Sequence, residues 1–183
     1  AGFEDAVPVE PAVFERLKEL SSSRGCTLYA TVLAAYVVLL RRLTGQDDLI
    51  IGIPVAGQSL VGEHDLVGHC TNMLPLRFSV TGEETFSELM AQAKKVLLEA
   101  HEHQRMTFGE LVERLRLPRD PSRTPLLSTS FNVDPAIHGL SFGGTEADFV
   151  CNLRCAFQFD LGFNLVSGES LLVEVDYNSD LFD

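Results

Sequence analysis

The chain has 183 residues, of which 45% are hydrophobic and 22% charged, so it is long enough for one domain or one large lobe with a substantial buried core. Its 14 Lys and Arg residues are outnumbered by 26 Asp and Glu residues, and its formal net charge is -12. This balance argues against a nucleic-acid-binding protein, because neutralising phosphates requires a clustered basic face.

The first half of the chain predicts two consecutive helices. Pro11 suits the first turn of a helix that ends before Gly25, since proline is favoured at the first helical position and glycine breaks the pattern. Thr27 is the expected N-cap of a second helix that ends near Leu43. This second helix is apolar on all faces, which predicts that other elements enclose it on nearly all sides.

The longest apolar stretch is Leu28 to Leu40, which contains Thr31 and is shorter than a membrane span. We therefore expect a buried helix here and no membrane segment. Leu49 to Val55 is a continuous apolar run with β-branched residues. Such a run is typical of a strand that is covered on both faces.

A polar stretch precedes the next predicted strand. Leu74, Leu76 and Phe78 alternate with polar or small residues, as in a half-buried strand, and Thr71 and Asn72 come immediately before them. Buried polar side chains need hydrogen-bond partners. Two interpretations stay open: Thr71 and Asn72 satisfy neighbouring backbone groups at the strand entry, or they line a ligand channel.

Two capping-box signatures predict the next helices. Thr85 with Glu88 begins a helical pattern that continues to His101, and Thr107 with Glu110 begins a shorter amphipathic helix. In a capping box the Thr side chain and the Glu side chain each bind a free N–H group of the first helical turn.

The remaining sequence predicts mostly β-structure, which makes the expected fold α/β, with a mixed β-sheet packed with helices. A final Asp180 could cap a helix that does not follow, and we expect the chain to be a piece of a longer polypeptide. The predicted elements are a type I turn at Asp120 to Arg123, a strand at Leu126 to Val133, a loop at Pro135 to Gly144, and a hairpin formed by Phe157 to Leu165 and Leu171 to Tyr177.

No metal site or catalytic residue emerges from spacing alone. The four cysteines lack the paired spacing of structural zinc sites, and Cys151 and Cys155 are interpreted as small core or edge hydrophobes. His101 and His103 are interpreted as closing a helix, where cations favour the negative dipole end. His69 is poorly placed to activate a Cys70 thiolate, because the side chains of sequence neighbours usually point apart. The cysteine usage predicts reduced thiols and a cytoplasmic location.

One basic concentration stands out in this acidic chain. It consists of Arg114, Arg116, Arg119 and Arg123. Such a cluster is either a solvated face or a docking surface for an acidic partner or a phosphate.

Three motifs in the correct order resemble the second half of the condensation domains of nonribosomal peptide synthetases, which have a chloramphenicol-acetyltransferase-like fold. The resemblance spans essentially all 183 residues, and its most specific motif is the third. The motifs are VGHCTNMLPLR at 67–77, similar to GxFVNTxxxR; HQRMTFGE at 103–110, similar to HQDxPFE; and RDPSRTPL at 119–126, similar to RDxSRNPL.

The resemblance implies that the parent enzyme joins a donor acyl or peptidyl thioester to the amine of an acceptor aminoacyl thioester in the biosynthesis of peptide antibiotics. Both substrates are carried on phosphopantetheine arms, and no cofactor is expected to bind directly. The family's catalytic HHxxxDG motif lies in its first lobe and does not occur in this sequence. We therefore expect residues 1–183 to be the C-terminal lobe, with no catalytic residue and no activity alone. The implied partners are the N-terminal lobe, peptidyl carrier domains and an adjacent adenylation domain.

The resemblance also implies roles for individual residues. A wall of the substrate tunnel is assigned to His69, Thr71 and Asn72, a structural motif to Arg77, Asp120 and Arg123, and carrier docking to Arg114, Arg116 and Arg119. The sequence departs from the family at His69 and Cys70, where Phe-Val is usual, at Arg105, where an acidic residue is common, and at Gly109, which is inserted before Glu110.

Two alternatives remain. The parent could be an epimerisation domain or an ester-forming acyltransferase of the same fold, although the RDPSRTPL motif favours condensation. The chain could also be a noncatalytic module that docks carrier proteins.

Overall fold

The computed structural model describes residues 2–57, 67–117, 120, 123–137, 139–147 and 158–182. Among the predictions above, those for Arg119, Cys151 and Cys155 lie outside the described residues.

Within the described residues four helices form at the predicted positions. Thr27 Oγ1 accepts a hydrogen bond from Ala30 N, and Gly45 ends the second helix with a φ of +67°. Both predicted capping boxes are present. The helices are α1 (Pro11–Ser23), α2 (Leu28–Thr44), α3 (Phe86–Glu102) and α4 (Phe108–Leu115).

Six of the eight described strands form one mixed sheet in the order β1-β8-β7-β4-β2-β3, and β5 and β6 form a separate hairpin. β4 is parallel to both β2 and β7, and the other neighbours are antiparallel. The strands are β1 (Gly2–Pro8), β2 (Asp48–Ala56), β3 (Thr71–Ser79), β4 (Thr129–Pro135), β5 (Leu140–Phe142), β6 (Thr145–Ala147), β7 (Leu161–Ser167) and β8 (Leu171–Asn178).

The helices cover one face of this sheet. Tyr36 of α2 packs its ring against Phe131 of β4 and Phe163 of β7, at centroid distances of 5.7 and 4.5 Å. Side chains along a strand point alternately to the two faces of the sheet. The positions that face the helices are therefore identified by the core residues of β2, β3, β4, β7 and β8. The other positions form what we call the helix-free face, a name that refers to the described helices only; among them are Gly52, Ser130 and Asn164. The buried core on the helix side includes Phe14, Leu33, Ile51, Leu76, Phe78, Met90 and Leu165.

The predicted α/β mixed sheet is confirmed, but three strands were not predicted and a fourth begins later than predicted. β1 was not predicted, and β5 and β6 lie in and beyond the predicted loop at Pro135 to Gly144. The strand predicted from Leu126 begins only at Thr129, because Leu126 has a φ of +69°, a left-handed backbone that interrupts an extended strand.

The second helix is less enclosed than its apolar sequence predicts. Seven of its residues are buried, but Ala35, Leu39 and Leu43 are exposed along one line of the helix. Within the described ranges no single helix is long and apolar enough to cross a membrane; α1 and α2 meet the length and composition criteria only as a pair bent by 107°.

Candidate functional site

The start of β3 separates the predicted tunnel residues. His69 and Thr71 are exposed, whereas Asn72 is half-buried. Asn72 shares the helix-facing side of β3 with buried Leu74 and Leu76, and Thr71 is on the helix-free face. The three side chains therefore do not line a single surface of the sheet.

Asn72 holds the connection between α3 and α4. Its Nδ2 donates to the backbone oxygens of Gln104 at 3.2 Å and Met106 at 3.0 Å, and its Oδ1 accepts from the N–H of Phe108 at 3.0 Å. These bonds use both donors and one acceptor position of the amide. The side chain thus satisfies backbone groups, as one of the two sequence interpretations proposed, but these groups are 32 to 36 residues away and are not its neighbours.

The same connection is fixed by the second capping box. Thr107 Oγ1 accepts from Glu110 N at 3.2 Å, and Glu110 Oε2 accepts from Thr107 N at 2.9 Å. The backbone and side-chain hydrogen bonds from Thr107 lower the pKa of the Glu110 carboxyl. Asn72 and the capping box together set the angle at which α4 leaves α3.

The strand entry is also anchored to the end of β2. Gly57 N donates to Cys70 O at 2.7 Å. A Cβ at residue 57 would lie 2.5 Å from that oxygen, so this close approach requires glycine.

Arg77, which the resemblance assigns to a structural motif, pairs with Asp48 across β2 and β3. Its Nε and one terminal nitrogen bind the two carboxylate oxygens at 2.8 and 2.7 Å. The hydrogen bonds from Arg77 lower the pKa of Asp48. Both side chains are exposed, so the pair is a bidentate surface contact whose contribution to stability is small.

The other motif residues are only partly described. Arg123 N donates to Asp120 O at 3.3 Å, which agrees with the predicted turn, although residues 121 and 122 lie outside the described ranges. Arg114 is in the last turn of α4, and Arg116 is its C-cap with a φ of +50°. Both arginines are exposed, as a solvated face and a docking surface equally require.

The histidines and cysteines give no metal site among the residues that the structure describes. His101 is in the last turn of α3, with Nδ1 2.8 Å from Leu97 O, and His103 is the C-cap. Cys26 and Cys70 are free thiols.

Two cavities flank α3. A cavity of about 540 Å³ lies between α3, the start of α2 and the end of β2, and is lined by Tyr29, Val55 and Leu97 among others. A second cavity of about 660 Å³ lies between α3, β3 and α4 and contains Arg77 and Met106 in its wall. The second cavity therefore borders the connection that Asn72 holds.

A row of polar side chains crosses the helix-free face and was not singled out from the sequence. Asn132 Nδ2 donates to Asn164 Oδ1 at 3.1 Å, and Asn164 Nδ2 donates to Glu174 Oε2 at 2.8 Å. The strict alternation around residue 164 placed Asn164 opposite the apolar positions of its strand. Its partners depend on strand register, which no pattern within one strand reveals.

Comparison with known proteins gives the family. The family model "Condensation domain" matches residues 3–183. The chain is 37% identical over 180 residues to surfactin synthase subunit 1 of Bacillus subtilis (strain 168), covering 97% of this chain and 5% of that protein. It is 34% identical over 189 residues to tyrocidine synthase 2 of Brevibacillus parabrevis, covering 100% of this chain and 5% of that protein.

A solved structure gives the same result. The condensation domain from monacolin K polyketide synthase MokA superposes with a TM-score of 0.85 at 28% identity, over 100% of this chain and 43% of that chain. Its likeness also confirms the chloramphenicol-acetyltransferase-like fold expected from the motifs. The chain spans about 5% of the length of the curated relatives named here, which are synthetases of many times its size. The chain belongs to the condensation-domain family.

Proposed function

We propose that this chain is the C-terminal lobe of a condensation domain that forms an amide bond between two thioester-bound substrates. The observation that carries the proposal is the family match over residues 3–183 together with the three motifs in family order. Coverage of 43% of the MokA condensation domain supports the assignment to one of two lobes.

The two lobes of the condensation domain have different proposed roles. The HHxxxDG motif is not found in these 183 residues, so the reactive histidine is supplied by the N-terminal lobe. The present lobe contributes a wall of the tunnel. His69 and Thr71 are exposed at the entry of β3 and are available to line it. Asn72 acts behind this surface by fixing the connection between α3 and α4.

The proposed partners are carrier domains that present substrates on phosphopantetheine arms, the N-terminal lobe, and an adjacent adenylation domain. The size of the related synthetases supports a multidomain setting. The exposed Arg114 and Arg116, with Arg119, form the proposed carrier-docking surface. The free thiols of Cys26 and Cys70 support a reducing compartment, and we propose the cytoplasm.

The experiment uses the intact condensation domain that contains this sequence. A carrier loaded with a donor acyl thioester is mixed with a carrier loaded with an aminoacyl thioester, and products are identified by mass spectrometry and chiral chromatography. An amide product supports the proposal. An inverted α-carbon without bond formation would assign an epimerisation domain, and ester formation would assign an ester-forming acyltransferase. Replacing the second histidine of the HHxxxDG motif is the control that separates enzymatic from spontaneous aminolysis.

A further inference from the structure

The polar row on the helix-free face has a defined order of hydrogen bonds. Asn132 of β4, Asn164 of β7 and Glu174 of β8 are directly opposite one another in the sheet register. All three side chains are half-buried. The row therefore runs perpendicular to three adjacent strands that are continuously paired.

The carboxylate at one end sets the orientation of both amides. An ionised Glu174 only accepts hydrogen bonds, so Asn164 must direct Nδ2 toward it and Oδ1 toward Asn132. Asn132 must then direct Nδ2 toward Asn164. Its Oδ1 consequently points away from the row. Because each bond polarises the next, the carboxylate also makes this last oxygen a stronger acceptor.

Beyond Asn132 the next strand is β2, where Gly52 lies opposite Ser130, two residues before Asn132. The side chains of Met73 and Leu127 cover Gly52, and these apolar groups do not compete for a hydrogen bond with Asn132. The helix-free face also contains Thr71, one of the predicted tunnel residues. The row thus ends on the face of the sheet where a tunnel wall is expected.

We propose that Asn132, held in orientation by Asn164 and Glu174, accepts a hydrogen bond from the attacking amine of the acceptor substrate. This inference rests on the proposed amide-forming function. Asn132 contacts the substrate, whereas Asn164 and Glu174 are positioning residues.

The chemistry of amide formation explains why an acceptor is useful there. The amine nitrogen forms a bond to the thioester carbon, the carbon–sulfur bond breaks with its electron pair going to sulfur, the nitrogen loses one proton, and the thiolate gains one. Positive charge develops on the nitrogen before the proton leaves. An oriented acceptor, polarised by a carboxylate, stabilises that charge more in the transition state than in the ground state.

The test uses the intact condensation domain and the variants Asn132→Ala and Glu174→Gln. The matched control is Glu169→Gln, the same chemical change in the exposed turn between β7 and β8. The quantity measured is the ratio of amide product to hydrolysed donor thioester in the same reaction. Hydrolysis measured without enzyme is subtracted, and circular dichroism gives the folded fraction of each variant, so that a loss of stability is separated from a loss of function.

We expect Asn132→Ala to lower the amide-to-hydrolysis ratio about 10- to 100-fold and Glu174→Gln to lower it about 3- to 10-fold, with the loss in kcat and not in the KM for the acceptor. Glu169→Gln should leave the ratio unchanged. Wild-type ratios in both Asn132→Ala and Glu174→Gln, with amide still formed, would overturn the role of the row and leave the proposed function standing. No amide from the wild-type domain would overturn the proposed function, and this inference with it.

Discussion

The side-chain Oδ1 of Asn72 accepts a hydrogen bond of 3.0 Å from the backbone N–H of Phe108, the first residue of α4. This bond joins the entry of an edge strand to the start of a helix 36 residues later. With the two bonds that Asn72 donates to Gln104 and Met106, it places residues of the first and second family motifs in direct contact.

Replacing Asn72 should therefore affect stability first. We expect Asn72→Ala in the intact domain to lower the free energy of unfolding by about 1 to 3 kcal/mol, because three backbone groups lose their partner. Urea unfolding measures this cost, and hydrogen exchange should show faster exchange at the Phe108 amide. Thr71→Ala, next to it and exposed, is the control and should be near neutral. Reduced activity in Asn72→Ala with unchanged stability would instead place Asn72 in the tunnel wall.

The turn after β3 depends on a contact between Gly82 and Arg41. Gly82 has a φ of +91°, and a Cβ there would lie 2.5 Å from the guanidinium carbon of Arg41. Arg41 in turn donates to the carbonyl oxygens of Val80 and Thr81. An added methyl group would strain the backbone and displace Arg41 from these bonds.

The matched comparison is Gly82→Ala against Gly45→Ala. Gly45 also has a positive φ, of +67°, but nothing lies within 4 Å of its added Cβ. We expect Gly45→Ala to cost about 1 to 2 kcal/mol for the left-handed backbone alone. Gly82→Ala should cost about 1 to 2 kcal/mol more, since the bonds from Arg41 are lost too. Equal changes in unfolding free energy would show that the contact with Arg41 is unimportant.

Glu84 should titrate far below an ordinary glutamate. Its carboxylate accepts from the N–H and hydroxyl of Thr81 and from the N–H of Gly82, at 2.9, 3.0 and 2.8 Å. The backbone hydrogen bond from Thr81 is the main cause that lowers the pKa of Glu84 from 4.5 to about 2.

Because the folded pKa is below the unfolded value, the stabilisation is fully present above about pH 4.5 and is lost as the pH falls toward about 2. A carboxyl ¹³C NMR titration of the folded protein measures the pKa directly. Glu84→Gln should remove the part of the acid sensitivity that Glu84 causes. A Glu84 carboxyl that titrates near 4.5 would contradict the hydrogen bonds at this turn.

Charge reversal should test the proposed carrier-docking surface at the end of α4. We expect Arg114→Glu and Arg119→Glu together to weaken carrier binding at low salt, with the difference shrinking as salt is added, because exposed charges are screened. Titration of a loaded carrier into the intact domain measures the affinity. Arg16→Glu on the exposed side of α1 is the control. Unchanged affinity would leave the arginines as a solvated face.

The sequence predicted the elements whose signals are local. Thr27, Thr85 and Thr107 mark helix starts through hydrogen bonds within one turn, and Gly45 marks a helix end. Strand β1 gave no such signal, because it is an edge strand that depends on pairing with β8. Each strand of the hairpin of β5 and β6 has only three residues, which is too short to show a period of alternating side chains.

The site was harder to predict than the fold, because its hydrogen bonds join residues that are far apart in the sequence. Asn72 could be recognised as a polar residue in need of a partner, but its partners are 32 to 36 residues away. The row of Asn132, Asn164 and Glu174 exists only because three strands are in register. Hydrogen bonds that depend on long-range register are not contained in the periodicity of any one segment.

The most direct test of the central claim is complementation between lobes. Residues 1–183 and a separately expressed lobe containing HHxxxDG are mixed with a donor-loaded and an acceptor-loaded carrier, and the rate of amide formation is followed by mass spectrometry. We predict that neither polypeptide forms amide alone and that the mixture does. Amide formation by residues 1–183 alone, or no amide from two lobes that circular dichroism shows to be folded, would contradict the account.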